Sequence, residues 1–115
     1  NTGAADCGSD GNPQTYTSLG YNLAGSSCPS NSTGDIATTN PQLGPLTANG
    51  GLGDTMMPHP TSSATDAGSC AASSTNVDER THLRPIDVPR VANAADGCDI
   101  GAGELDDDIF WNGFQ

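Results

Sequence analysis

Apolar residues in this chain come in runs of three at most, and Gly or Pro punctuates nearly every ten residues; there are 15 Gly and 8 Pro among 115 residues. Nowhere do apolar side chains recur at the three-and-four spacing of an amphipathic helix, and Leu, Glu and Lys are scarce, so no sizeable helix is predicted. Short runs with β-branched or aromatic residues predict strands at Gln14–Leu19, Gly20–Leu23, Asp35–Thr38, Thr55–Met57, Asp87–Val91 and Ile109–Phe114. Between them lie turn-forming clusters, of which "SSCPSNSTGD" and "TANGGLGD" are the clearest. Half the chain reads as irregular. Strands this short, about 20–25 residues apart, suit the rungs of a solenoid, in which each rung buries its inward residues only against the next.

Composition sharpens that picture. Only 33% of residues are hydrophobic, yet charged residues are only 15%, too few for a charge-driven disordered chain. A thin core of this kind needs staples. Four cysteines, Cys7, Cys28, Cys70 and Cys98, are an even number with no C-x-x-C pair, which favours disulfides over a zinc or redox site. Three pairings are open; proximity favours Cys7–Cys28 and Cys70–Cys98, each worth roughly 3–4 kcal/mol by loop closure. Disulfides point to an extracellular or cell-surface protein. The first residue is Asn and no signal peptide is present, so the chain is expected to be a processed product or an excised piece.

The net charge is -11, with no lysine and only Arg80, Arg84 and Arg90 as cations. Such a surface repels phosphate backbones and anionic membranes, so no nucleic-acid partner is expected. No apolar run approaches the ~20 residues of a membrane span.

Five segments resemble, in order, the C-terminal portion of secreted bacterial right-handed parallel β-helix proteins of the pectate-lyase-like, choice-of-anchor type. "SLGYNLAGSSC" (Ser18–Cys28) is similar to that group's Gly-Tyr-Asn rung followed by a cysteine. "NPQLGPLTANGG" (Asn40–Gly51) is similar to its Leu-x-Pro-Leu turn with Asn-Gly-Gly. "SSATDAGSC" (Ser62–Cys70) and "VDERTHLRP" (Val77–Pro85) resemble its Ala-Ile-Asp-Ala-Gly and Asp-Gln-Arg-Gly…Arg-Pro segments, and "CDIGAGE" (Cys98–Glu104) resembles its closing motif. Ser63, Thr65 and Thr81 depart from the group, which has Pro, Ile and Gly there. The resemblance implies a mainly β fold, a short right-handed parallel β-helix or solenoid fragment with long irregular loops. It covers only the end of such a helix, so lyase chemistry, housed in the upstream rungs, is not implied.

Candidate chemistry is sparse. Asp78, Arg80, Arg84 and Asp99 form an acid–base constellation or a structural ion-pair knot, and the directional bonds of an Arg fork favour the knot. His59 and His82 are too far apart in sequence for a metal pair, and Glu104 with Asp106, Asp107 and Asp108 lacks the alternating spacing of a calcium loop, so neither metal nor cofactor is expected. Asn31-Ser32-Thr33 is a glycosylation sequon by pattern.

The remaining signal is the tail. Ile109, Phe110, Trp111 and Phe114 put three of the five aromatics at the C-terminus. On a solenoid fragment, residues 1–108 would form the terminal rungs. The tail, 109–115, would be a strand donated to the open end of a neighbour, or else a cap folded back on its own rung. Donation is heterologous and need not close, so it would build filaments. The expected function is therefore a non-catalytic, extracellular, self-associating structural module, a homopolymer. The alternative is a carbohydrate-binding or polysaccharide-lyase-related surface protein fragment, against which the scarcity of Trp and Tyr platforms counts.

Overall fold

The computed structural model describes Cys7 and residues 15–25, 27, 28 and 30–106. Four strands of two residues each and one helical turn are its regular elements: β1 (Leu23–Ala24), β2 (Ile36–Ala37), β3 (Thr47–Ala48), β4 (Asp54–Thr55) and α1 (Cys70–Ser73). β1 and β2 pair in parallel, Leu23 opposite Ile36, and β3 and β4 pair antiparallel, Thr47 opposite Thr55.

The expected β-helix is not formed. Among the described residues the strands make two separate two-stranded sheets, with no solenoid. A rung needs inward apolar side chains stacked on those of the next rung. Here Leu19, Leu46, Leu52 and Leu83 face solvent instead, and the buried positions are mostly small or polar. The predicted strands fare unevenly. β2 falls inside Asp35–Thr38, β1 takes only the end of Gly20–Leu23, and β4 overlaps the start of Thr55–Met57. Asp87–Val91 is turn and coil, as is the described part of Gln14–Leu19, and Ile109–Phe114 lies outside the described residues.

Local chemistry explains the elements that do form. Tyr21 N–H donates to Thr33 O, Ile36 N–H to Asn22 O and Thr38 N–H to Ala24 O, so the parallel pairing extends past β1 and β2. Asp35 fixes the turn before β2 by accepting Asn22 N–H at 3.1 Å and Ser32 N–H at 3.0 Å. Gly34 takes φ +73° with Tyr21's ring against its Cα, leaving no room for a side chain. In the β3–β4 hairpin, the Asn49 amide donates to the carbonyls of Thr47 and Thr55, closing the loop. α1 is capped by Ser69, whose hydroxyl accepts Ala72 N–H at 3.2 Å, while Asp96 accepts Cys70 N–H and Ala71 N–H.

The core lies in the second half. Segments 64–68 and 98–100 run antiparallel, joined by Gly68 N–H to Cys98 O and Ile100 N–H to Ala64 O. Gly68 is required there, because a Cβ would meet the backbone of Asp99. The disulfides are Cys7–Cys28 and Cys70–Cys98, with Cα atoms 5.1 and 5.7 Å apart. Among the described residues no helix is long and apolar enough to cross a membrane.

A buried carboxylate knot as the candidate site

Four acidic side chains, Asp66, Asp78, Asp99 and Glu104, are buried beside two arginines. Carboxylates are costly to bury unless their lone pairs are met by donors. Here the donors are mainly backbone N–H groups of irregular segments that no sheet ladder satisfies.

Asp78 organises the 78–82 turn. Its Oδ1 accepts the N–H groups of Arg80 at 2.8 Å and His82 at 3.0 Å; its Oδ2 accepts Glu104 N–H at 3.2 Å. Arg80 Nε donates to the same Oδ2 at 2.8 Å, and its Nη2 reaches the Glu104 carbonyl. Burial pushes the Asp78 carboxyl upward, but the Arg80 hydrogen bond, the two backbone donors and the Arg80 charge outweigh it and hold the group below its ordinary range.

Glu104 ties three segments together. Its Oε1 accepts Asp99 N–H at 3.0 Å, its Oε2 accepts Ile86 N–H at 2.9 Å, and Arg84 Nε lies 3.3 Å from Oε1. The Arg84 contact is an ion pair without hydrogen-bond alignment, because Nε has no hydrogen-bonded partner. Arg84 Nη2 donates to Gly101 O at 2.7 Å.

Asp99 accepts Asp66 N–H at Oδ1 and Leu105 N–H at Oδ2. Burial raises its carboxyl to about 6 against those two bonds, with the Glu104 and Asp66 charges adding to the rise. Asp66, 0% exposed, accepts one N–H among the described residues, that of Val88, 3.3 Å from each oxygen. Its carboxyl also stands at about 6, raised by burial and by the charges of Asp87 and Glu104.

The structure thus gathers all four residues of the sequence constellation, but with different partners. Arg84 pairs with Glu104, which the sequence placed with the aspartate run, and Asp66 was not singled out at all. Only the "DAG" of "SSATDAGSC" marked its position, and it meets Asp99 across 33 residues.

A general base needs a free lone pair at a place substrate can enter. The perturbed carboxyls of Asp66 and Asp99 are 0% and 3% exposed. Among the described residues, Cys70, Cys98 and Glu104 are the one acid, thiol or imidazole group close enough to hold a metal, and both sulfurs are spent in the disulfide. The exposed His59 ring contacts Thr61, and exposed His82 enters the knot through its backbone, its N–H donating to Asp78 Oδ1 and its carbonyl accepting Asp78 N–H. Asp107, Asp108 and the residues expected at a subunit interface, Ile109, Phe110, Trp111 and Phe114, lie outside the described residues. Two open clefts of about 440 and 390 Å³ flank Asn22 and Ile100, the larger lined in part by Leu19, Tyr21, Thr75 and Arg84.

Set against family models, curated proteins and solved structures, the chain matches none.

Proposed function

We propose that this chain is a non-catalytic extracellular structural module that associates with copies of itself. One observation supports this most: the buried carboxylates spend their oxygens on the chain's own backbone, at Arg80, His82, Ile86, Val88, Asp99, Glu104 and Leu105. Charged groups used this way replace the missing hydrophobic core and leave nothing aimed at a substrate. Two disulfides fit an extracellular setting.

Donated-strand filaments need the open end of a solenoid, which the described residues do not form. Association would instead run through side-chain contacts. Val77 and Leu83, opposite one another on a bridge, are 46% and 76% exposed and offer one such surface. The net charge of -11 opposes assembly at low salt, so association should strengthen as salt screens it. Light scattering across an ionic-strength series, paired with turnover assays on acidic and neutral glycans, tests the proposal. Salt-promoted oligomers without turnover are expected; a monomer at every salt concentration, or turnover, would overturn it.

The alternative is carbohydrate binding, and the cleft holding Tyr21 and Arg84 is what favours it. Saturable chemical-shift changes confined to that cleft on titration with oligosaccharides would select it.

A further inference from the structure

Counting charges in the knot exposes an imbalance. Asp78 is neutralised by Arg80 and Glu104 by Arg84. Among the described residues no Arg pairs with Asp66 or Asp99, although both are buried. The groups facing Asp66 are the carboxylates of Asp87, Glu104 and Asp99, and those facing Asp99 are Glu104 and Asp66. No histidine side chain faces either group: His59 and His82 are exposed. Two uncompensated carboxylates in one dry cluster cannot both stay ionised cheaply.

From this geometry we infer that the knot is an acid-tightened clasp, which holds a proton on Asp66 in mildly acidic surroundings and loosens segment 86–96 when that proton leaves. Asp66 is the natural carrier. Asp78, Asp99 and Glu104 each use both oxygens on separate N–H donors, whereas Asp66 shares one long Val88 N–H between its two oxygens and so has lone pairs to spare. Segment 86–96 covers Asp66, with Val88 N–H on its carboxylate and Ala94 N–H on its carbonyl. The Val88 bond favours the ionised form, but burial outweighs it, so opening the segment would hydrate the charge. Asp87, exposed at the start of that segment, adds repulsion when Asp66 is charged.

The sign follows from proton counting. The Asp66 carboxyl is raised from 3.8 to about 6 in the folded chain, so between those values the native state binds more protons than the unfolded state. Its contribution is fully present below about pH 4, falls as pH rises, and is gone above about pH 6.

Asp66→Asn tests this directly. Asn is close in shape to the protonated acid, keeps one acceptor for Val88 N–H and tolerates the positive φ of 52° found here. In about 0.5 M salt, where surface repulsion is screened, wild type should melt about 5 °C or more higher at pH 5 than at pH 7.5. The variant should lose at least half of that difference and melt higher than wild type at pH 7.5. Amide exchange, corrected for intrinsic rate, should show Val88 and Ala94 less protected at pH 7.5 in wild type only. A variant that keeps the full pH dependence would overturn the inference. Should Asp66→Asn fail to fold, carboxyl carbon-13 titration of wild type decides: a midpoint above 5 at Asp66 supports the clasp, and one below 4.5 overturns it.

Discussion

Arg80 and Asp78, two positions apart, close on each other inside the protein. The guanidinium lies 2.7 Å from Oδ2, with the two side chains 3% and 0% exposed. The ring this makes holds the 78–82 turn and presents Arg80 Nη2 to the Glu104 carbonyl. Removing one partner leaves a buried charge unmatched, which typically costs about 3–5 kcal/mol. Arg80→Ala should therefore lower urea stability by that order. Asp78→Asn with Arg80→Met together should cost less than the two single changes summed. Additive losses would mean that the pair is not coupled.

The two disulfides differ in access. Cys98 is 1% exposed and Cys70 9%, whereas Cys7 and Cys28 are half-buried. Mild reductant at neutral pH should open Cys7–Cys28 first, with Cys70–Cys98 following only on unfolding. Mass spectrometry of alkylated peptides over a reductant series reads the order. Loss of Cys70–Cys98 should cost roughly 3–4 kcal/mol, and simultaneous opening of both bridges in folded protein would contradict this.

Two glycines are held by close approach. Gly34 packs its Cα on the Tyr21 ring at φ +73°, and Gly51 lies against the Glu79 carboxylate, whose Oε1 accepts Gly53 N–H at 2.8 Å. Gly34→Ala adds backbone strain to a steric clash and should cost about 1–3 kcal/mol or more. Gly51→Ala should cost less, because Gly51 has no positive φ and adds no backbone strain, although its Cβ would meet both the carboxylate and the backbone carbonyl of Glu79. Urea midpoints of the two variants test the order.

Acid should unfold the chain only at low pH. Asp35 is lowered to about 2, first by the Ser18 hydroxyl and then, against desolvation, by the Ser32 and Asn22 hydrogen bonds. Asp96 is lowered too, chiefly by the Ala71 N–H, and Asp78 is lowered as described above. Groups with depressed values bind fewer protons in the native state, so their stabilisation is present above about pH 4 and is lost as pH falls through the folded values. With Asp66 and Asp99 acting in the opposite sense above pH 4, stability should peak near pH 4–5. A melting-temperature profile from pH 2 to 8 shows it, and a maximum at pH 7 or above would refute it.

How far these features could be read from sequence varied with their range. Pairing each cysteine with its nearer neighbour worked because both bridges close short loops, 21 and 28 residues. β2 was legible from Asp35–Thr38, where Ile36 sits beside a turn that Asp35 caps. The solenoid was misread because the regular spacing of short strands and turns is shared by loop-rich folds. What separates them is whether Leu19, Leu46 and Leu52 point inward, and they do not. Arg80 with Asp78 was local enough to suspect. Asp66 with Asp99 and Arg84 with Glu104 were not, since they join segments 33 and 20 residues apart, the first through a backbone donor that leaves no side-chain pattern and the second through an ion pair with no local spacing.

The central claim, that these carboxylates hold the fold rather than perform chemistry, is tested most directly by urea denaturation of Glu104→Gln at pH 7. Both Glu104 oxygens accept backbone N–H groups, so the Gln amide must turn its NH₂ against either Ile86 N–H or Asp99 N–H. Arg84 also loses its counter-charge. A loss of about 2–4 kcal/mol is expected from the unmatched donors and the buried cation. Unchanged stability, together with loss of a glycan-binding or turnover activity found in wild type, would contradict the account.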